Sequence, residues 1–355
     1  MSRFLRECYQ SLEAYTPGEQ PRDMAYIKLN TNESPYPPAP AVVELLQRRD
    51  IENLRLYSDP TCKGLKEKLA GLYGLKPENF FVTNGSDDIL NFLFMAFPGA
   101  KGASIPDISY GFYPVYAELN AVPARKVPLK EDFSLDYTDY LTNDSLVVIA
   151  NPNAPTGMTI SVAQIEAILK ANPDNVVVID EAYVDFGGES CYRLIDKYEN
   201  LVVVRTFSKS RCLAGGRLGF AMAPAPLIAD LEKLKYSTNP YSINRLTLAL
   251  GEATVDADGY YVDMCARIAA SRERAAEQLR AIGFTVLPSK SNFIFAKAPG
   301  LDGGELYRQL KSRGVLVRHF TAPRIRDYIR ITIGTDEQMD ALIRTVKTIL
   351  QEAGL

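Results

Sequence analysis

Val202-Val203-Val204-Arg205-Thr206-Phe207-Ser208-Lys209 runs from a β-branched apolar stretch into hydroxyl groups and then a lysine. A run of this kind predicts a buried strand. In α/β proteins the residues just past such strands line the active-site crevice, so Lys209 is expected there. Upstream, Val177-Val178-Ile179-Asp180 is a second apolar run, and it ends in a carboxylate. Downstream, Gly215-Gly216-Arg217-Leu218-Gly219 sets a cation among glycines that let backbone approach closely. A lysine and a strand-end acid in this order suit a Schiff-base lysine holding pyridoxal phosphate, with the acid against the ring nitrogen.

The alternation extends to both sides. Lys63–Tyr73 and Asp87–Phe97 read as helices, and Phe80–Thr83, Leu146–Ala150, Val176–Asp180, Leu201–Thr206 and Leu218–Met222 as strands. Ser161 with Gln164 makes a capping-box start for an amphipathic run ending at Ala171. Strands alternating with helices predict an α/β fold with a large, doubly wound, mostly parallel sheet and right-handed crossovers. Beyond it, a helix over Val262–Ala281 is expected to stop at Gly283. Strands at Asn292–Ala296, Val315–Arg318 and Tyr328–Ile333 follow, with helices at Glu305–Ser312 and from Thr335. The predicted organisation is a proline-rich arm (1–40) packed between a large domain (41–255) and a small α+β C-terminal domain (256–355).

Composition narrows the function. The 355 residues carry a formal net charge of −3, which does not suit a nucleic-acid binder. No stretch approaches the roughly 18 uninterrupted apolar residues of a membrane span. The five cysteines, Cys8, Cys62, Cys191, Cys212 and Cys265, are odd in number and scattered, which suits a reducing cytoplasm. Met1 to Glu7 has no apolar signal core, and a cytoplasmic location is expected. The single histidine, His319, excludes a multi-histidine metal site, and no metal is expected.

Several segments carry candidate chemistry. Asp180 suits a protonated ring nitrogen, and Tyr183 follows where it could reach a ring oxygen; a metal ligand or a helix cap is the alternative for such an acid. Phe81-Val82-Thr83-Asn84-Gly85-Ser86-Asp87 is a strand, a tight turn and a helix start, and so an anion site or a plain N-cap. In the anion reading Gly85 permits the turn, Ser86 adds a hydroxyl and Asp87 gives its backbone N–H. Ser208 and Arg217 also suit a phosphate. Tyr110 could stack on a planar ring or simply fill the core. Asn151-Pro152-Asn153-Ala154-Pro155-Thr156-Gly157 forces a sharp loop at another strand end. Arg318, His319, Arg324, Arg326 and Arg330 form a basic cluster opposed only by Asp327, suited to an anionic substrate or to a solvated strand face. Arg330, between apolar neighbours, needs a partner.

The ordered set Tyr57-Ser58-Asp59-Pro60, Gly85-Ser86-Asp87, Tyr110, Asn151 to Gly157, Asp180 to Tyr183, Ser208-Lys209, Arg217 and Arg330 resembles the fold-type I, class I and II pyridoxal-phosphate aminotransferases over nearly the whole chain. The resemblance is greatest to the branch that acts on histidinol phosphate. It implies Lys209 as the Schiff-base lysine, Asp180 on the pyridine nitrogen and Tyr183 on the 3′-oxygen. It implies Tyr110 on the ring face, and Gly85, Ser86, Asp87, Thr206, Ser208 and Arg217 around the cofactor phosphate. Tyr57 matches a tyrosine that reaches the neighbouring subunit's site, which implies a homodimer with shared active sites. Arg318 and Arg330 match substrate-anion arginines, and Tyr15 a tyrosine closing over the substrate. The implied reaction moves an amine from an anionic, phosphate-bearing donor to 2-oxoglutarate, giving glutamate. An aromatic amino acid or threonine phosphate is the alternative substrate on this scaffold, and a regulatory module that binds pyridoxal phosphate without turnover is the non-enzymatic one. Two positions depart from the pattern. Ala154 stands where the family usually has an asparagine bonded to the 3′-oxygen, leaving Asn153, Asn151 or Tyr183 to fill that role. Gly216 stands where leucine is more frequent.

Overall fold

The computed structural model describes residues 9, 12, 13, 15–47 and 51–355. The rest of the predicted arm, at 1–8, 10, 11 and 14, lies outside the described residues. The chain opens with β1 (Ile27–Lys28), α1 (Pro40–Gln47), α2 (Lys63–Tyr73), β2 (Phe80–Thr83), α3 (Ser86–Ala96), β3 (Ala103–Pro106), α4 (Phe112–Leu119) and β4 (Ala124–Val127). It continues through β5 (Leu146–Ala150), α5 (Val162–Ala171), β6 (Val177–Asp180), β7 (Leu201–Thr206), β8 (Gly219–Met222), α6 (Ala225–Thr238) and α7 (Arg245–Asp256). The last part holds α8 (Asp258–Ala281), β9 (Thr285–Val286), β10 (Phe293–Lys297), α9 (Gly303–Ser312), β11 (Val315–Leu316), β12 (Arg318–His319), β13 (Tyr328–Thr332) and α10 (Asp336–Glu352).

Seven strands form the main sheet in the order β2-β8-β7-β6-β5-β3-β4. All neighbours from β7 to β4 are parallel, and β8 alone is antiparallel to the strands on both its sides. Successive side chains of a strand point to opposite faces. Val177, Ile179, Leu201 and Val203 therefore enter one apolar cluster with α2 and α5 residues such as Leu65 and Ile165. Val178, Val202 and Val204 enter a second cluster with Ile89, Leu93 and Tyr113 from α3 and α4. With both faces covered, these strands have no solvent side to mark with polar residues, which is why they read as unbroken valine runs.

The C-terminal third packs α8, α9 and α10 against an antiparallel sheet of order β12-β13-β10-β9. The long helix starts at Asp258, four residues before the sequence suggests, because α7 turns into it at Ala257 alone. It ends, as expected, before Gly283, whose φ of +89° suits glycine. The predicted capping box at Thr335 is formed, with Thr335 accepting from the Gln338 N–H. The described part of the arm runs between the two layers. Its β1 pairs in parallel with β11, and Leu29 is buried in the C-terminal core. Among the described residues no helix is long and apolar enough to cross a membrane.

Candidate active site

The C-terminal ends of β5, β6 and β7 and the N-terminus of α3 surround a cavity of about 440 Å³. Its walls include Ser86, Asp87, Tyr110, Ala154, Asp180, Tyr183, Thr206, Ser208, Lys209 and Arg217. A second cavity of about 410 Å³ adjoins it, lined by Arg318, Arg330, Asn30 and Phe320. The two share Tyr15, Thr31, Tyr110, Ala154, Tyr183 and Lys209, so the lysine stands at their junction.

Asp180 is buried at the end of β6. One carboxylate oxygen accepts from the Tyr113 hydroxyl at 2.8 Å and the other from the Ala182 N–H at 3.1 Å. Burial pushes its carboxyl up to about 6, against those two hydrogen bonds, and the charges of Asp87 and Glu181 add to the rise. Asp180 is thus a carboxylate short of a cation, facing a cavity that has room for one.

Lys209 leaves β7 on a loop that is anchored from below. Arg205 is buried in β7 and pairs with Glu181 at 3.0 Å and Asp185 at 2.7 Å. Ser210 donates to the same Asp185, and the Thr206 hydroxyl accepts from the Ser208 N–H at 3.1 Å. The lysine is therefore flanked by two fixed serines. Its Nζ donates to the Thr31 carbonyl of the arm at 3.4 Å and lies 5.8 Å from the Tyr183 ring centre.

The anion cradle forms where β8 meets α3. A Cβ on Gly219 would come within 2.4 Å of the Ser86 nitrogen, so only glycine lets β8 approach the free N–H groups of that helix start. Gly85, at φ +91°, turns the chain into α3, and Arg217 lies across it. Arg217 reaches the Asp87 carboxylate at 3.1 Å, and Tyr110 donates to the same group at 2.8 Å. Asp87, expected to give mainly its N–H, thus also ties the cation and the aromatic wall together by its side chain.

Of the basic cluster, Arg318 and Arg330 line the second cavity. Arg318 donates to the carbonyls of Thr16 and Pro17, each at 3.2 Å. Arg330 donates to the Asn30 carbonyl at 3.0 Å, while its Nε is buried without a partner. Arg324 instead pairs with Asp107 at 2.8 Å, and His319 bonds the Arg326 carbonyl. Tyr15 stacks on Phe112 with ring centres 4.0 Å apart and covers both cavities.

Three residues named from the sequence, Asn153, Asn151 and Tyr57, do not line either cavity. The Asn153 amide is consumed elsewhere, accepting from Ser109 at 2.7 Å and donating to the Ile108 carbonyl at 3.0 Å. Asn151 is likewise committed to the backbone of Ile160. Ala154 alone of that loop's first residues faces the cavity containing Asp180. Tyr57 is 78% exposed and stacks on Tyr241. Gly216 has room for a larger side chain, its nearest neighbour being Leu213 at 3.4 Å. Conversely, the sequence gives no notice of Tyr113 or of Asn32, whose Nδ2 donates to the Tyr183 hydroxyl at 2.9 Å.

Residues 25–346 match the family described as aminotransferase class I and II. The chain belongs to that family. Among its relatives, the histidinol-phosphate aminotransferase of Brachyspira hyodysenteriae is 49% identical over 354 residues, covering 99% of this chain and 100% of that one. The enzyme of the same name from a Marinomonas species is 50% identical over 353 residues, covering 98% and 100%. The crystal structure of histidinol-phosphate aminotransferase from Sinorhizobium meliloti, in complex with pyridoxal 5′-phosphate, matches the fold with a TM-score of 0.82 at 24% identity, covering 92% of this chain and 91% of that one. The aminotransferase fold accounts for the position of Lys209, Asp180 and the α3 N-terminus at one end of the sheet.

Proposed function

We propose that this aminotransferase uses pyridoxal 5′-phosphate to move the amine of histidinol phosphate to 2-oxoglutarate. The carrying observation is Lys209 at the junction of two cavities, one built for a cofactor and one for an anion. The residues fit the cofactor by their donor set. The α3 N-terminus, Ser208 and Arg217 suit a phosphate, and the buried, cation-deficient Asp180 suits a protonated ring nitrogen. Tyr110 and Ala154 both line that cavity, where they would flank a planar ring. The names of the relatives support histidinol phosphate as donor.

When bound, the cofactor supplies an electron sink that lowers the cost of removing the substrate Cα proton. Lys209 would hold the cofactor and, with its amine free, would take the proton from the substrate Cα as general base. Asp180 keeps the ring nitrogen's positive charge in place. Arg330, with a buried unpartnered Nε, and Arg318 orient the substrate's phosphate or the 2-oxoglutarate carboxylate. Tyr15 excludes water from above. We propose further that the protein is a cytoplasmic homodimer in which Tyr57 reaches the partner's phosphate site.

The test measures glutamate formed from 2-oxoglutarate with histidinol phosphate, phenylalanine and threonine phosphate as donors. The expected order has kcat/KM highest for histidinol phosphate. A higher value for phenylalanine, or carbon dioxide release from threonine phosphate, replaces this reading with an aromatic transaminase or a decarboxylase.

A further inference from the structure

We propose that Asn32, in the N-terminal arm, is a positioning residue that fixes the direction of the Tyr183 hydroxyl proton, turning it toward the 3-oxygen of the cofactor. The inference rests on the function proposed above. Asn32 is buried, 1% exposed, at a φ of +55°, a conformation that asparagine tolerates better than most residues. Its backbone N–H donates to the Thr332 hydroxyl at 2.9 Å. That hydroxyl oxygen is then an acceptor, and its own proton goes to Asn32 Oδ1 at 3.0 Å. With Oδ1 assigned, the other amide atom is Nδ2, which carries only protons to give. It gives one to the Tyr183 oxygen at 2.9 Å.

The chain of donors leaves Tyr183 one choice. Its oxygen accepts from Asn32, so its own O–H points away from the amide. Among the described residues it donates to none, and the side chain lines both cavities beside Lys209. Ala154 offers no amide there, and the amides of Asn153 and Asn151 are held by other groups. Tyr183 is thus the donor this site retains for a ring oxygen, and Asn32 aims it. Thr332 lies two residues beyond Arg330 on β13, so the same strand carries a substrate arginine and the lock on the amide.

The test titrates apoprotein with pyridoxamine 5′-phosphate and with its analogue lacking the 3-hydroxyl, following intrinsic fluorescence. Neither ligand forms a bond to Lys209. The wild-type protein is expected to prefer pyridoxamine phosphate about tenfold, the value of one well-placed hydrogen bond. Asn32→Gly keeps the backbone conformation and removes the amide, and it should bring the ratio near one. Adding Tyr183→Phe to Asn32→Gly should then cost nothing further in that ratio. Thr332→Val, which keeps volume but frees the amide to flip, should lower the ratio in the same direction and serves if Asn32→Gly fails to fold. An unchanged ratio, with both ligands weakened alike, would show that Asn32 only ties down the arm and overturns the proposal. A wild-type protein that binds neither ligand overturns the proposed function itself, a different result from binding both without discrimination.

Discussion

Asp180 faces opposing demands, because burial disfavours its charge and its proposed role requires it. Raised to about 6, the carboxyl favours the fold while protonated and ceases to do so as pH rises through that value. A cation held against the ionised form reverses the loss, so pyridoxamine phosphate affinity should fall as pH drops below about 6. Tyr113→Phe removes the hydroxyl that stabilises the charge, and its inflection should move up by about one unit. Isothermal titration across pH reads it, and the ligand's own phosphate titration stays where it was. Arg205→Ala leaves the buried Glu181 carboxylate without its cation and should cost roughly 3–5 kcal/mol in urea unfolding. At this scale the sequence announces the residues that end strands or begin helices, such as Lys209, Asp180 and Ser86. Tyr113 is not announced, since a fully buried aromatic on a helix is ordinarily core. Asn32 is not either, since its partner Thr332 lies 300 positions away and no local pattern links them.

Elements are legible where periodicity is clean. β5, β6 and β7 each begin with an unbroken apolar run, and their predicted limits lie within a residue of the structure. β4 is hidden because Ala124-Arg125-Lys126-Val127 is exposed at its first three positions. It is an edge strand, and its charges discourage pairing with another chain rather than advertise a strand. β3 is short and ends in Pro106, which reads as a break. The antiparallel direction of β8 has no local signature, because the run Leu218–Met222 looks alike in either orientation. Helix ends are clearer, since capping is local chemistry. Thr335→Ala should remove the N-cap of α10 and lower stability by about 1 kcal/mol. A shift in the urea midpoint at constant slope measures it, and no shift would mean that the helix start is held by packing alone.

Across the whole molecule, Tyr57 and Tyr241 stack in solvent, and Leu54 and Leu56 are exposed on the same segment as Tyr57. Such a patch suits the proposed homodimer. Mixing a Tyr57→Phe subunit with a Lys209→Ala subunit tests it. If the Tyr57→Phe variant retains activity, Tyr57→Ala replaces it; mixed with Lys209→Ala, subunit exchange should restore sites carrying neither defect. A mixture that stays inactive although mixed dimers form places Tyr57 within its own subunit's chemistry. The path of the arm has a consequence for how the protein is made. Leu29, Asn30 and Asn32 lie early in the chain, yet they bond Leu316, Arg330 and Thr332, the last two 300 positions further on. During translation the arm emerges long before anything it can dock on, whereas the main sheet is complete by Met222. Ribosome-bound chains halted after α7 should therefore show a protease-resistant sheet and a cleavable arm. Resistance of the arm should appear only after β13 has been released, so the pocket is finished well after the sheet that carries it.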